Sequence, residues 1–217
     1  MRQYATISAC VALTLAATGC AFESGLNPAH FQYTQRVYDA KVAGKGAIEM
    51  PKSVQAETFK GNPTSFTGGG TTLAMPMGLI TREAATTAFG DVFTEGVALV
   101  EATPPQSAYA ATVKPRVTAF SYQYNQLRNL GFAVTPMVEM SLTVSLSAGD
   151  GKPVWERVFQ SGNVEGETYF LSGSPGEEIS KTAHRTLMKL MQEAADAVHR
   201  ELRGAEAAAS GTSPRAD

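Results

Sequence analysis

Residues 138–147 alternate between apolar and polar side chains. The apolar set is Val138, Met140, Leu142, Val144 and Leu146, and the polar set is Glu139, Ser141, Thr143, Ser145 and Ser147. A period of two is that of a β-strand with one buried face and one solvated face. Turn-forming residues follow at 149–152 (GDGK), and 153–160 (PVWERVFQ) has the pattern of a partner strand. The sequence therefore predicts a β-hairpin.

A second strand candidate, 112–127, places Phe120, Tyr122 and Tyr124 on one face. A row of aromatic rings can stack on a ligand, but such a row more often packs beneath a helix, so we interpret it as core. Pro115 indicates that the strand begins at a sheet edge or after a bulge. Residues 46–59 hold one or two weaker strands.

Two helices are predicted. In 78–97, a helical stripe comprises Ile80, Ala84, Ala88, Val92 and Phe93. Gly90 weakens this helix by about 1 kcal/mol relative to Ala and suggests a close approach to the sheet.

The last helix carries the clearest signals at its ends. Ser174, Pro175 and Glu177 form a capping box with proline at the first helical position. Apolar residues then recur every three or four positions: Ile179, Ala183, Leu187, Leu190, Met191, Ala194, Val198 and Leu202. Gly204 is predicted to end the helix.

The order of elements is strand, helix, strand, hairpin, helix. Strands in runs with two helices on one face describe an α+β two-layer sandwich. We expect an antiparallel or mixed sheet of about four to five strands covered by two helices.

The chain begins with the layout of a secretory signal peptide, residues 1–19. Arg2 supplies the charge, and Ala5–Gly19 is apolar or small. This run is shorter than the about 20 residues that a membrane-spanning helix needs. Cys10 would be removed with the signal, so the mature chain keeps Cys20 alone and forms no internal disulfide.

The end of the signal, Ala17, Thr18 and Gly19 followed by Cys20, resembles the lipobox of bacterial lipoproteins. The resemblance implies cleavage before Cys20 and attachment of acyl chains such as palmitate to its sulfur and its new amino group. The thiol is a suitable acceptor because it is the strongest soft nucleophile available. An ordinary signal peptide with a buried Cys20 is the alternative. Ala21 stands where the familiar retention signal is Asp, so the resemblance implies an outer-membrane lipoprotein facing the periplasm.

Four segments follow from these patterns: signal peptide 1–19, lipid-anchored tether 20–45, α+β domain 46–204 and disordered tail 205–217. The tether has no clean period and, fully extended, would reach about 80 Å at about 3.3 Å per residue. The tail is small and polar.

One glycine-rich segment, 65–78 (SFTGGGTTLAMPMG), meets neither phosphate-binding spacing. We interpret it as a flexible binding loop for a partner or a ligand. Gly68, Gly69 and Gly70 supply backbone freedom, and Met75 and Met77 supply adaptable apolar contacts.

The sequence offers no catalytic, cofactor or metal site, and the chain is not expected to be an enzyme. His30, His184 and His199 are not predicted to cluster, and the last two are expected on the exposed face of their helix. Glu165 and Glu167 form a carboxylate pair that is usually only solvated. A net charge of −2 does not indicate a basic surface that would bind nucleic acid.

The layout of residues 45–203, with a strand of the type VTAFSYQYN at 117–125, resembles two kinds of small envelope lipoprotein. One is the YajG-like group, related in fold to the anchored domain of curli-secretion lipoproteins. The other comprises auxiliary lipoproteins of ABC-type transport systems. The resemblance implies an accessory or assembly role.

Two hypotheses for function remain. In the first, the protein is an interaction module that docks on an envelope protein partner through a sheet edge or a loop. In the second, it is a carrier or auxiliary transport subunit that shelters an acyl chain or other apolar ligand between helix and sheet.

Overall fold

A computed structural model describes residues 21–66, 68–102, 108–125, 133–170 and 175–209. The predicted signal peptide, Cys20 and the capping residue Ser174 lie outside the described residues, as do 210–217 of the predicted tail.

The described chain contains two sheets. Its strands are β1 Ala21–Glu23, β2 Gly46–Glu49, β3 Phe59–Gly61, β4 Thr72–Met75, β5 Val97–Val100, β6 Ala111–Asn125, β7 Ala133–Ala148, β8 Pro153–Gln160, β9 Val164–Glu165 and β10 Tyr169–Phe170. Its α-helices are α1 Lys52–Gln55, α2 Met77–Gly90 and α3 Pro175–Ala209, and Pro28–Phe31 form a 3-10 helix.

The larger sheet has seven strands, more than the four to five predicted, and is mixed. Its order is β10-β7-β6-β2-β5, and β8 and β9 also pair with β7. β2 runs parallel to β5 and β6, whereas β6, β8, β9 and β10 run antiparallel to β7. The additional members include β5, β9 and β10, of four, two and two residues, too short to show a period in the sequence.

The predicted hairpin is confirmed, and its two strands are neighbours in this sheet. β7 and β8 pair from Ser141 with Gln160 to Ser147 with Pro153, with a register shift between Leu146 and Ser147. All five apolar members of the alternating set are at most 1% exposed. The turn between the strands includes Gly151 at φ +82°, a conformation that favours glycine.

Helices α2 and α3 contact each other and the larger sheet, so the predicted sheet-and-helix layering is present. The apolar stripe of α3 is buried from Ile179 to Val198, and Leu202 packs partly against the core. The predicted helix end at Gly204 is wrong, because α3 continues to Ala209. A glycine costs a helix only about 1 kcal/mol, and alanines and an Arg203–Glu206 ion pair favour the last turns.

Helix α2 differs from the prediction at its glycines. Gly90 is its last residue, and a methyl group there would meet nothing within 4 Å, so the expected close approach is wrong. The close approach is at Gly78, where a Cβ would clash with the Val54 carbonyl oxygen. Val92 and Phe93 follow the helix but are buried as the stripe predicts.

Pro115 does not mark the start of its strand. β6 begins at Ala111, and Pro115 follows Val113, the last residue that β6 pairs with β2. A register shift between Val117 and Ala119 comes after it. The proline therefore lies where one edge of β6 loses its partner strand.

Candidate functional site

The segment predicted as a tether packs against the domain. Residues 24–42, which we call the strap, run along α3 and the end of α2. Phe31 and Val42 are at most 4% exposed, and Val42 forms a bridge with Phe93. The expected tether, which would extend about 80 Å, is therefore wrong for these residues.

A buried histidine fastens the start of the strap. His184 of α3 is fully buried, its Nδ1–H donates to the Ser180 carbonyl (2.7 Å), and its Nε2 accepts from the Asn27 amide (3.3 Å). Its ring lies 5.0 Å from that of Phe31 and 5.4 Å from that of His30. Both ring nitrogens are occupied only in the neutral form, and burial lowers the pKa of His184 to about 4.

Two sequence-based expectations about histidines are thus wrong. His184 is not on an exposed face, and it lies beside His30. The strap covers a face of α3 whose side chains look polar in the sequence but are at most 2% exposed, namely Ser180 and His184.

Carboxylates fasten the rest of the strap. Asp91, at the end of α2, accepts hydrogen bonds from the Tyr33 hydroxyl and from the Arg36 amide (2.9 Å). Burial, followed by the hydrogen bond to Asp91, raises the pKa of Tyr33 to about 12. The Tyr38 hydroxyl donates to Asp196 of α3 (2.8 Å).

Two further side chains of α3 bind strap carbonyls. Gln192 donates to the Thr34 carbonyl (2.8 Å), and the His199 Nε2–H donates to the Ala40 carbonyl (2.7 Å). The Tyr38 and His199 rings stack at 4.3 Å. The strap is therefore held along its length.

The chain enters the fold immediately after the predicted lipid-anchor residue. β1 begins at Ala21, which pairs with Thr72 of β4 in a parallel register, and β3 completes a three-stranded sheet in the order β1-β4-β3. An acyl group on Cys20 would thus join a residue that precedes the first strand.

The glycine-rich segment is held by hydrogen bonds at its start. The Gly69 amide donates to the Phe66 carbonyl (3.1 Å), and the Thr71 amide donates to the Gly68 carbonyl (2.8 Å). The Asn62 side-chain amide donates to the Gly69 carbonyl (3.2 Å) and the Thr71 carbonyl (2.8 Å). We call residues 66–71 the glycine turn, without Thr67, which is not described.

Each glycine of this turn has its own surroundings. Gly68 has φ +74°, and a Cβ there would lie 2.7 Å from the Tyr124 ring. Gly70 has open space around it, with nothing within 4 Å. Position 68 therefore requires glycine, whereas position 70 has room for a larger side chain.

The second half of the predicted loop is not a loop. Residues 72–75 form β4, and Met77 begins α2. Met75 is 0% and Met77 is 6% exposed, so these side chains are core residues and the expected contact with a partner is wrong for both. Pairing with β1 on one side and β3 on the other orders this segment, and neither pairing leaves a local signal in the sequence.

Two phenylalanines are highly exposed. Phe66, in the glycine turn, is fully exposed (103%), and Phe170, the last residue of β10, is 73% exposed. Both flank the same end of the β6–β7 pair, because Ser65 accepts from the Tyr124 amide of β6 and Phe170 pairs with Ala133, the first residue of β7.

We call this region the proximal end. It comprises Phe66 and Gly68–Thr71, Tyr124 and Asn125, Ala133 and Val134, and Tyr169 and Phe170.

The aromatic row of β6 is core, as predicted. Tyr122 is 1% and Tyr124 is 8% exposed, and the Tyr122 hydroxyl donates to the Gly61 carbonyl (3.1 Å). Phe120 packs edge-on against Phe59 at 4.7 Å. The row fastens the small sheet to the large one, and its half-buried end, Phe120, lines a surface pocket together with Phe59.

Neither a metal cluster nor a membrane-crossing helix is found in the described ranges. There, no three His, Cys, Asp or Glu side chains are grouped as a metal site would need. Likewise, no helix there is both long and apolar enough to span a bilayer.

The chain matches no family model and no curated protein. It is similar to a Xanthomonas campestris protein of family DUF330, with a TM-score of 0.47 and 14% identity over 86% of this chain and 98% of that one. It is also similar to a minor lipoprotein from Acinetobacter baumannii, with a TM-score of 0.35 and 10% identity over 72% of this chain and 92% of that one. For a provisionally named lipoprotein from Caulobacter crescentus, the TM-score is 0.34 and the identity is 18%, over 63% of this chain and 85% of that one. With TM-scores below 0.5, these likenesses carry no conclusion about this chain.

Proposed function

We propose that this protein is a lipid-anchored accessory component of an envelope complex. In the proposal, the chain is cleaved before Cys20, acylated there, and held on the outer membrane with its domain in the periplasm. It carries no catalytic activity and docks on an envelope protein.

The observation that supports this proposal most is the position of β1. The lipobox-like sequence ends at Cys20, and the next residue already pairs with β4. A signal peptide cleaved before Cys20 would leave no loose segment between the anchor and the fold. The domain would then sit directly on the membrane, as suits a protein that presents a fixed surface to a partner there.

A free sheet edge is available for such a partner. Within the described ranges, β8 pairs with β7 and with no other strand. Val154 and Val158 of β8 are 40% and 57% exposed. A partner segment could add to this edge as a further strand, a common mode of recognition in which main-chain hydrogen bonds supply the affinity.

The carrier hypothesis gains no support from the aromatic row. Tyr122 and Tyr124 fill the space in which the carrier would hold its ligand. Native mass spectrometry of the purified protein tests the carrier directly, since a lipid that remains bound would favour it.

The anchor is tested with Cys20→Ala. We expect the wild-type mature chain to start at an acylated Cys20 by intact mass, and the variant to accumulate as the uncleaved precursor. Density-gradient separation of the two membranes should place the wild type with the outer membrane. An unmodified wild-type terminus would refute the anchor.

The partner is tested with a photo-crosslinking residue at Val158 in intact envelopes. One discrete adduct is expected, and it should be absent when the same residue is placed at Val37, which is 90% exposed on the strap. The same adduct from both positions, or none from Val158, would contradict docking at β8.

A further inference from the structure

We propose that Phe66 and Phe170 form a membrane-seating surface that enters the lipid interface beside the acyl chains of Cys20. This inference rests on the proposed lipid anchor and extends it from one residue to a face of the domain. The occupant of the surface is the bilayer itself.

Both side chains lie at the proximal end, and the turn that carries Phe66 adjoins the strand that pairs with β1. Ala21 pairs with Thr72, the residue after the glycine turn that carries Phe66. On the other side, the missing Cβ of Gly176 would lie 3.0 Å from the Cβ of Phe22, and α3, which holds Gly176, is the element that follows Phe170. β1 thus lies beside the strand that follows the glycine turn and beside the first turn of α3.

The turn presents Phe66 rather than letting it collapse onto the domain. Hydrogen bonds from Asn62 and Thr71 hold the turn, and Gly68 occupies the space above the Tyr124 ring. Because the turn is already ordered, inserting Phe66 into lipid costs little conformational entropy.

The chemistry of the pair fits a lipid interface. Both are aromatic, whereas the other large exposed apolar side chains among the described residues are the aliphatic Val37, Leu99, Val154 and Val158. Phe is typical of side chains that enter the boundary between head groups and acyl chains to a depth of about 5–10 Å. Single exposed apolar residues need no explanation, whereas two exposed rings at the same end of the β6–β7 pair form a candidate surface.

The test uses the acylated full chain with single cysteines at Phe66→Cys or Phe170→Cys, each labelled with an environment-sensitive fluorophore. Acylation of Cys20 leaves the introduced thiol as the labelling site. The protein is reconstituted into vesicles of phosphatidylethanolamine and phosphatidylglycerol, with and without brominated acyl chains. Val158→Cys, at an exposed position on β8, is the matched control.

We expect brominated lipid to quench the labels at 66 and 170 by about half, since both would lie within reach of the acyl boundary, and to leave the label at 158 unchanged. Equal quenching at all three positions, with Cys20 acylated and the protein bound, would overturn the seating surface while the anchor stands. If intact mass shows no acylation, quenching at 66 and 170 alone would support the surface and refute the anchor. If neither acylation nor quenching is found, both proposals fail.

Discussion

Replacing His184 should remove the contribution of one buried histidine to the pH dependence of stability between pH 8 and pH 4. In the folded chain, burial holds the pKa of His184 at about 4, against 6.5 for the free side chain. The unfolded chain therefore binds a proton at a higher pH than the folded chain. The stability that this difference in pKa contributes is present above about pH 6.5, and it is lost as the pH falls toward 4.

The size of this effect follows from the two pKa values. Linkage gives a loss of about 2 kcal/mol by pH 5 and about 3 kcal/mol by pH 4 from this one group. At neutral pH, His184→Ala should cost about 2–4 kcal/mol, because it removes a buried ring from beside Phe31 and two hydrogen bonds. The gap between wild type and variant should therefore nearly close at pH 4.

The assay is urea unfolding in detergent at several pH values, followed by the fluorescence of Trp155, the single tryptophan. Carboxylates also titrate in this range, but they are common to both proteins and cancel in the difference. His199→Ala is the matched control, since it removes a histidine from the same helix. A gap between wild type and His184→Ala that stays constant from pH 8 to pH 4 would refute the reasoning.

Two other substitutions have matched neighbours as controls. Leu190→Asp places an unpaired charge in the core and should cost several kcal/mol, enough to unfold or nearly unfold the domain, whereas Lys189→Asp on the exposed side should change little by thermal unfolding. Gly68→Ala combines a positive φ with a ring clash and should cost about 1–3 kcal/mol, while Gly70→Ala should stay within about 0.5 kcal/mol. Equal midpoints for either pair would contradict the corresponding assignment.

The hairpin and the last helix could be predicted because their signals are local. In β7 and α3, burial on one face imposes a period on consecutive residues, and that period is visible in the sequence whatever the rest of the chain does. The aromatic row of β6 was predictable for the same reason. These elements also fix the layering of helices on the larger sheet.

The small sheet and the strap could not be predicted, because distant contacts create them. β1 and β3 have three residues each, and their order comes from pairing with β4. Such short segments show no period, and small or polar residues such as those before β4 favour a loop interpretation.

The burial of His184 has a related cause. The residue lies just outside the apolar stripe of α3, so its exposure depends on whether another element covers that flank. The strap covers it through Asn27, which is 157 residues away along the chain. Tyr33, Tyr38 and Phe31, three aromatics in a segment otherwise without a period, were the available signal that the strap packs rather than hangs free.

The proximal end and the free edge of β8 lie at different positions along β7. Phe170 pairs with its first residue, Ala133, whereas β8 pairs with its second half, from Ser141 onward. A strand of 16 residues extends about 50 Å at about 3.3 Å per residue, so the free edge of β8 lies away from the proximal end. With no slack after Cys20, the fold itself would set the height at which that edge meets a partner.

Inserting ten Gly and Ser residues between Cys20 and Ala21 tests this coupling. Such a linker has a root-mean-square length of about 17 Å, so the acyl chains would no longer hold the proximal end at the lipid surface. We expect the unfolding midpoint to stay unchanged, because the insertion precedes β1, and quenching of the label at position 66 by brominated lipid to decrease markedly. The adduct from Val158 should weaken as well, since its height above the membrane would fluctuate. If the insertion leaves both quenching and crosslinking at wild-type levels, the direct entry of the chain into β1 does not position the domain.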